Sequence, residues 1–541
     1  MSIAQSPAAN SRPESVMERT RIGTALLSAY DKSGIVELAR GLVRGGAKLL
    51  ASGGTARVLR QAGLDVRSIE DYTGLAPGFG GRVKTLHPLV HAGILARRDV
   101  REDMAELARA GGTPIDLVYV NLYPFEETVA AGAPENERIE QIDIGGPALL
   151  RAAAKNWQAV TVLCDPSDIA TVLDELGDAG ATSSSLRRRL AAKVFARTSA
   201  YDHAIAADLA ASGGESPTDA TATLPERVEL SLRRVAALRY GENPDQQAAL
   251  YAAAETTGEL PGGWRQVSGI ELSYNNWVDM AAAATLAGAF TEPAAVIVKH
   301  TNPCGVALAA DGAAAWDRAL ASDPVSAFGG IAAFNVEVGK EIATRVKAHF
   351  LEVVVAPAFT DAALDLLAKK KRLRLVRTPS GSVAVPAREW RILPGDVWLA
   401  QSGLRIASDP AAWTQVSERA PTEAERRDLA FAWTVVAHVK SNAIVFAKDR
   451  QVLGVGAGQM SRVDSVRIAI DKAHELGHDL RGSVLASDAF FPFADGPQLA
   501  LAAGATAIVQ PGGSKRDDET IAAVKEGGAA MLFTGRRVFR H

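Results

Sequence analysis

Cysteine is nearly absent: Cys164 and Cys304 are the only two in 541 residues. That excludes a disulfide framework and an all-cysteine zinc site, and it suits a reducing cytoplasm. Long apolar runs are missing as well. The run over 280–290 is short and alanine-rich, well below membrane-spanning length. Neither sign of charge dominates, since 59 Lys and Arg against 62 Asp and Glu leave a net −3. Nothing electrostatic therefore calls for a nucleic acid or another polyanion as partner. Residues 1–20 carry Ser, Pro, Arg and Glu without an apolar signal core, so they read as a disordered tail. What remains is ordinary globular material, 47% hydrophobic and 22% charged. Its length asks for roughly two to four domains.

The first half repeats one pattern. Residues 24–28 read as a strand, followed by Tyr30-Asp31-Lys32-Ser33-Gly34 and a helical pattern over 35–44. Residues 48–51 read as the next strand, ending in Ser52-Gly53-Gly54-Thr55 before a helix over 56–62. Strand–turn–helix twice over is the start of a doubly wound parallel sheet. Helix N-termini bearing hydroxyls, glycines and a lysine attract anions. Plain N-capping by Ser or Thr is the alternative, but two such turns in succession favour a phosphate site. Gly80-Gly81-Arg82-Val83-Lys84-Thr85-Leu86-His87-Pro88, with His91 just beyond, suits a binding loop. No Cys or acidic residue stands at ligand spacing from the histidines, so no metal is expected there.

A strand over 117–121 delivers Asn121-Leu122-Tyr123-Pro124. Asp143-Ile144-Gly145-Gly146-Pro147 then opens a helix carrying Arg151 and Lys155 on one face. The alanines and leucines around them predict a buried helix whose cations need a partner, Asp143 or a bound anion. A helix over 186–209 leads to 211–225, small, polar and without period, which reads as a linker and domain boundary.

In the second half, a helix from about 279 to 290 feeds the β-branched run 296–298, which ends in Lys299 and His300. The turn is expected at Asn302-Pro303 and Gly305. Titratable groups at a strand end of an α/β sheet are placed where ligands usually bind. Such a pair suggests acid–base work on a weakly nucleophilic nitrogen, with His300 as proton acceptor. A solvated Lys–His pair in an ordinary loop is the plainer alternative, and these two residues alone favour it. Gly454, Gly456 and Gly458 do not complete a dinucleotide fingerprint, because the third glycine would fall at Gln459. The half contains two similar passages of helix, Lys/His-bearing strand and Gly-rich turn, so it reads as a pair of related subdomains.

Ten stretches now line up. They are Ser-Gly-Gly-Thr (52–55), Gly-Gly-Arg-Val-Lys-Thr-Leu-His-Pro (80–88), Val-Asn-Leu-Tyr-Pro-Phe (120–125), Ile-Asp-Ile-Gly-Gly-Pro (142–147) and Arg-Ala-Ala-Ala-Lys-Asn (151–156). After the linker come Leu-Arg-Tyr-Gly-Glu-Asn-Pro (238–244), Lys-His-Thr-Asn-Pro-Cys-Gly (299–305), Lys-Ser-Asn-Ala-Ile (440–444), Gly-Ala-Gly-Gln-Met-Ser-Arg (456–462) and Asp-Ala-Phe-Phe-Pro-Phe (488–493). In this order they resemble the bifunctional purine-biosynthesis enzymes that join phosphoribosylaminoimidazolecarboxamide (AICAR) formyltransferase to inosine monophosphate (IMP) cyclohydrolase. The match runs from about residue 21 to 541.

The resemblance implies an α/β protein: a methylglyoxal-synthase-like parallel-sheet cyclohydrolase domain at 21–210, and a transformylase of two cytidine-deaminase-like subdomains at 226–541. It implies formyl transfer from 10-formyltetrahydrofolate, a folate co-substrate, to the 5-amino group of AICAR, then dehydrative closure of the product, FAICAR, to IMP. It further implies a cytoplasmic homodimer with the transformylase site shared across the interface, without nucleic-acid or membrane partners. The zinc-ligand pattern of true deaminases is absent, because Cys304 follows Pro303 with no second Cys three residues on, so no catalytic metal is expected.

For ring closure the resemblance implies Lys84, Tyr123, Asp143 and Lys155, with Lys155 and Tyr123 on the developing charge and Asp143 handling protons. For formyl transfer it implies Lys299, His300 and Asn442, the last orienting His300. Substrate contacts are implied at Ser28, Lys32, Ser52, Gly53, Gly54, Thr55, Arg82, Thr85, Asn121 and Gly145, and after the linker at Arg239, Tyr240, Asn276, Gln459, Phe490, Asp495 and Arg537. Tyr30 stands where some members carry a small Ser, and Gly330 where some carry an acid. A nucleotide-binding regulator that kept the fold and lost the chemistry is the competing reading, as is a cyclohydrolase with a dead transformylase half. The chemical residues of both halves are present, which favours the two-step enzyme.

Overall fold

Five short strands form the sheet of the first unit: Thr24–Ala29, Lys48–Ala51, Val66–Ser68, Leu117–Asn121 and Thr161–Leu163, the central ones largely apolar and buried on both faces. The computed structural model describes residues 19–541 apart from 76–82, 178, 213–223, 225–227, 229, 231, 254–259, 380–382, 384–387 and 407–408. The chain divides between Ala220 and Thr221 into two compact units.

In the first unit the five strands are parallel, and Thr24–Ala29 lies between Lys48–Ala51 and Leu117–Asn121. Side chains alternate between two cores, as strand geometry requires. Leu26, Leu50, Val118 and Val120 enter one; Ala25, Leu27, Leu49, Ala51 and Tyr119 enter the other. Helices cover both faces, with Ile35–Arg44 and Gly53–Gln61 on one side and Gly145–Lys155 on the other. Chain order reverses between Thr24–Ala29 and Leu117–Asn121, which opens a crevice at their carboxyl ends.

Three expectations change here. Arg19 and Thr20, assigned to the tail, pair in a short strand with Ser183 and Thr182, while residues 1–18 lie outside the described residues. The helix over 186–209 is longer, Ser184–Ser212, and so enters the expected linker, most of which lies outside the described residues. Arg151 and Lys155 are exposed, not buried, and Arg151 lies over the Phe195 ring at 5.6 Å. Residues four apart share a face; on this helix that face is the outward one, so neither cation needs a buried anion.

The second unit is built around one twelve-stranded mixed sheet with an internal two-fold pattern. From its middle outward, one half runs Asn302–Leu308, Ala294–Lys299, Gly330–Phe334, Leu351–Ala356, Arg374–Arg377 and Arg265–Ser268. The other runs Gln451–Gly456, Ile444–Lys448, Val484–Ser487, Ala507–Gln510, Ala530–Phe533 and Thr414–Gln415. In each half the outermost strand is followed by a helix, Tyr274–Gly288 or Glu423–Val436, and both helices pack into one shared core on the same face. On the opposite face each half has its own core, around Trp316 and Ala319 in one and Val466 and Ala469 in the other.

The paired hairpins correspond residue by residue. Lys299 pairs with Asn302 across a two-residue turn, His300-Thr301, and Lys448 pairs with Gln451 across Asp449-Arg450. The turn expected at Asn302-Pro303 is therefore two residues earlier, and Asn302 to Gly305 belong to the returning strand. The Lys–His pair sits on this hairpin and not at the carboxyl mouth of a parallel sheet. Gly305 and Gly454 also correspond. A Cβ on the first would lie 2.1 Å from the Ala319 carbonyl oxygen, and on the second 2.2 Å from that of Ala469. Both strands lie against helix backbone with no room for a methyl group. Gly305→Ala is expected to destabilise the second unit by about 1–3 kcal/mol or more through overpacking, and Gly454→Ala by a similar amount. Denaturant unfolding of the two variants measures this; parent-like stability in either would contradict the close approach.

Candidate functional site

The crevice of the first unit is a cleft of about 760 Å³. Ser28, Lys32, Ser52, Gly53, Gly54, Thr55, Lys84, Thr85, Asn121, Tyr123, Asp143 and Gly145 all line it. Its floor is the start of the helix Gly53–Gln61. The N-cap residue Ser52 makes no side-chain cap bond; its hydroxyl pairs with that of Ser28 at 2.8 Å instead. Capping by Ser52, the plainer alternative, therefore does not hold. The first amide groups of this helix are left pointing at the cleft without a side-chain acceptor, the arrangement that attracts an anion. Thr55 is different: its hydroxyl meets the Ala29 backbone, accepting from N–H at 3.1 Å and donating to the carbonyl at 3.2 Å. Asn121 ties the neighbouring turn, accepting from the N–H groups of Tyr30 at 2.5 Å and Asp31 at 3.0 Å. Lys32 folds back to donate to the Tyr30 carbonyl at 3.0 Å.

The opposite wall is the start of Gly145–Lys155. The Asp143 carboxylate accepts from the Gly146 N–H at 2.8 Å, and the Asp143 N–H donates to the Tyr201 hydroxyl at 2.8 Å. A Cβ on Gly146 would fall 2.3 Å from that carboxylate, so the glycine is what lets it approach. Burial pushes the Asp143 carboxyl above its usual range, against the Gly146 N–H and the Lys84 charge, which pull it down. Burial pushes the Tyr123 phenol up, and the charge of Asp143 adds to this. Tyr30 meets Tyr123 edge to face, ring centroids 5.7 Å apart. A cation, a phenol and a partly desolvated carboxylate thus converge opposite an anion cradle.

Two expected members of this site are not brought in. Arg82, with Gly80 and Gly81, lies outside the described residues. Lys155 is the last residue of an eleven-residue helix whose first turn lines the cleft. At about 1.5 Å per residue it stands some 15 Å further along the helix, exposed, and it is not among the residues that line this cleft.

In the second unit, Lys299 and His300 line a smaller cavity of about 290 Å³ with Asn302, Cys304, Asp323 and Lys472. Burial pushes the Cys304 thiol up to about 12, so it stays protonated and is not a nucleophile. His300 and Thr301 both adopt left-handed backbone, φ 51° and 63°, which costs a non-glycine residue about 1–2 kcal/mol. Asp279, on the helix Tyr274–Gly288, offsets this. Its carboxylate accepts from the His300 N–H at 3.2 Å and the Thr301 N–H at 2.7 Å, bonds worth about 1.5–3 kcal/mol each when the acceptor is charged. Burial pushes the Asp279 carboxyl up, and those two N–H groups pull it down. The Lys299 ammonium donates to the Phe328 carbonyl at 2.7 Å, which aims it across the neighbouring loop.

The loop 440–442 approaches this turn through Asn302, whose side-chain oxygen accepts from the Lys440 N–H at 2.9 Å and whose amide donates to the His300 carbonyl at 3.1 Å. Asn442 is not joined to His300. Its amide donates to the carbonyls of Gln459 (2.9 Å) and Met460 (3.2 Å), and its oxygen accepts from Arg462 at 2.7 Å. Arg462 is itself buried against Asp488 and Ser487, so Asn442 is part of a fixed network that shapes the loop. Gln459 bonds back to the Ala457 carbonyl at 3.0 Å.

The other expected contacts divide into exposed and committed groups. Phe490, Asp495 and Arg537 are exposed, and Arg537 lies over Phe539 at 4.9 Å. Arg239 stacks on Tyr240 at 4.8 Å and donates to its hydroxyl at 3.0 Å. Asn276 is not available to a substrate. It is buried, completes a capping box with Ser273, and donates to Glu352 at 2.9 Å.

Sequence reading missed Asp279, Asn302, Arg462 and Asp488. One signal was present: Asp279 stands 21 residues before His300, and Asp428 stands 21 before Asp449. Among the described residues no group of three His, Cys, Asp or Glu side chains is placed to hold a metal.

Comparison with known proteins agrees across the chain. The family model described as "MGS-like domain" matches residues 34–148, and that described as "AICARFT/IMPCHase bienzyme" matches residues 153–472, more than half of the chain. The bifunctional purine biosynthesis protein PurH of Chloroflexus aurantiacus is 53% identical over 525 residues, 96% of this chain and 99% of that protein. PurH of Magnetococcus marinus is 48% identical over 534 residues, 96% of this chain and 100% of that protein. A solved structure entitled "Crystal structure of ForH" matches 34% of this chain and 97% of its own at 41% identity, with a TM-score of 0.31. The near-full-length relatives and the two matched domains, on a chain that keeps chemical residues in both halves, leave one assignment. The chain belongs to the AICARFT/IMPCHase bienzyme family and carries its two activities, AICAR formyltransferase and IMP cyclohydrolase, the last two steps of IMP synthesis.

Proposed function

We propose that the first unit closes the ring and the second transfers the formyl group. The observation that supports the first half most strongly is the convergence of Lys84, Tyr123 and Asp143 opposite the uncapped helix start at Gly53 and Gly54. The ribotide 5′-phosphate docks on those amides, with the Ser28 and Ser52 hydroxyls and Lys32 beside it. The carboxamide nitrogen attacks the formyl carbon; a C–N bond forms, and the formyl oxygen gains charge. Asp143 takes the amide proton, while the Lys84 ammonium and Tyr123 phenol donate to that oxygen. The oxygen, now a hydroxyl, receives the proton back from Asp143 as the C–O bond breaks; water leaves, the formamido nitrogen gives up its proton to the group that first protonated the oxygen, and the C=N bond of IMP forms. Lys84 takes the cation role first given to Lys155, because Lys155 lies outside this cleft.

Asp143 also sets a test that separates chemistry from folding. Folding raises its pKa, so the native protein holds this proton to higher pH than the unfolded chain, and stability falls as pH rises through that interval. Asp143→Asn removes that cost while keeping an acceptor for Gly146. At pH 7 the variant should unfold at an equal or higher temperature and close the ring about 10²–10⁴-fold more slowly. Thermal melts and a ring-closure assay check both; parent-like closure would remove Asp143 from the reaction.

In the second unit, His300 is the base and Lys299 the cation for transfer from 10-formyltetrahydrofolate, the folate co-substrate. The 5-amino nitrogen attacks the formyl carbon as His300 takes its proton, and the bond from that carbon to the folate N10 breaks. The proton passes to N10, releasing tetrahydrofolate. Asn442 shapes the facing loop and does not touch His300. His300→Ala should slow formyl transfer about 10²–10⁴-fold with ribotide affinity little changed and ring closure on preformed FAICAR intact. Steady-state kinetics of the two half-reactions decides; normal transfer would exclude His300 as the base.

The assembly is a cytoplasmic homodimer acting on small molecules, without nucleic-acid or membrane partners. The 290 Å³ cavity beside His300 is small for a ribotide and a folate together, which supports a site completed by a second copy. Two hairpins outside the large sheet, Leu232–Leu238 with Ala248–Ala253 and Arg388–Leu393 with Val397–Ser402, expose Leu232, Tyr251, Ile392, Trp398 and Leu399. Isolated hairpins with exposed apolar side chains need cover. Light scattering at micromolar concentration should give twice the chain mass of 56.8 kDa; a monomer would refute this assembly. Among the described residues no helix is long and apolar enough to cross a membrane.

A further inference from the structure

We propose that Asp279 is a positioning residue for formyl transfer, its carboxylate fixing the height and angle at which the His300–Thr301 turn presents the imidazole. The proposal rests on the reading of His300 as the base. His300 is exposed, and its ring has no hydrogen-bond partner among the described residues. Its aim is therefore set by the backbone that carries it. That backbone is a two-residue turn with both residues left-handed, a geometry that favours Asn-Gly and is occupied here by His-Thr. Nothing intrinsic to His-Thr holds such a turn. Asp279 does, with one carboxylate oxygen on each N–H.

Asp279 is held in turn. It lies in the second turn of the helix Tyr274–Gly288, whose first turn is locked by the Ser273/Asn276 capping box and by Asn276 donating to Glu352 on the strand Leu351–Ala356. A line of fixed groups thus runs from Glu352 through Asn276 and Asp279 to His300. It gives Asn276 a role other than the substrate contact first expected of it.

The other half of the unit supplies an internal control. Asp428 accepts from the N–H groups of Asp449 at 2.8 Å and Arg450 at 2.7 Å, and those residues are left-handed at φ 52° and 58°. The clamp is the same, but its turn carries no base for this reaction. Loss of either carboxylate should loosen a hairpin; only loss of Asp279 should loosen the chemistry.

The test uses full-length Asp279→Ala, Asp279→Asn, Asp428→Ala, Asp428→Asn and His300→Ala proteins. Asp279→Ala should lower the formyl-transfer kcat about 10–100-fold, as small displacements of a reacting group do, with KM and the ring-closure rate little changed. Asp279→Asn, which keeps one acceptor oxygen, should fall between it and the parent. Asp428→Ala should lower the melting temperature about as much as Asp279→Ala and leave kcat near the parent value. Equal loss of kcat in the two Ala variants, or none in Asp279→Ala, would overturn the proposal. Should either Ala variant fail to fold, the two Asn variants decide by the same comparison. His300→Ala at the parent rate would instead overturn the reading of the base. A slow His300→Ala beside a normal Asp279→Ala would overturn the positioning role alone.

Discussion

The second unit depends on the seam between its halves. Asn302–Leu308 and Gln451–Gly456 run antiparallel there, with Ala307 opposite Gln451 and the Leu308 N–H donating to the Arg450 carbonyl at 3.0 Å. Arg318 closes the seam, donating to the Leu308 and Asp449 carbonyls, while Gln451 donates back to the Arg318 carbonyl at 2.9 Å. Because the two six-stranded halves meet edge to edge, one face of the sheet becomes continuous, and the helices Tyr274–Gly288 and Glu423–Val436 share a single core on it. Because the seam strands are antiparallel, the two hairpins lie at its opposite ends: Asp449-Arg450 meets Leu308, and His300-Thr301 faces the 440–442 loop through Asn302.

The first unit solves a different problem. Its cleft sets an anion cradle opposite a carboxylate held partly out of water. Backbone amides at a helix start supply positive potential without a buried cation, so most of the ionic side chains can stay near solvent. Lys32 and Lys84 are exposed. Asp143, by contrast, is substantially desolvated, and its raised pKa follows from that burial.

Much of this was legible in the residues. The strand Leu117–Asn121 and the helix Ile35–Arg44 fall where hydrophobic periodicity put them, because both faces of each are decided by local pattern. The cleft could be read from two glycine- and hydroxyl-bearing turns, since helix starts on a parallel sheet necessarily converge at its carboxyl edge. What was not legible depended on tertiary geometry. Composition alone placed Arg151 and Lys155 inside, whereas orientation about the helix axis put them outside. The turn was sought at Asn-Pro, a strong local signal, but a carboxylate 21 residues away holds His-Thr in the bend instead. Asn276 resembled a ligand contact and serves as a helix cap, because a side-chain amide fits either role equally well.

Asn302 has one further consequence. One end of its amide holds the His300 carbonyl and the other holds the Lys440 N–H, so a single side chain spans the two halves across the seam. It works as a rigid coupling rod between loops that are 138 positions apart in the chain. A displacement of the 440–442 loop would reach the His300 backbone through that one amide.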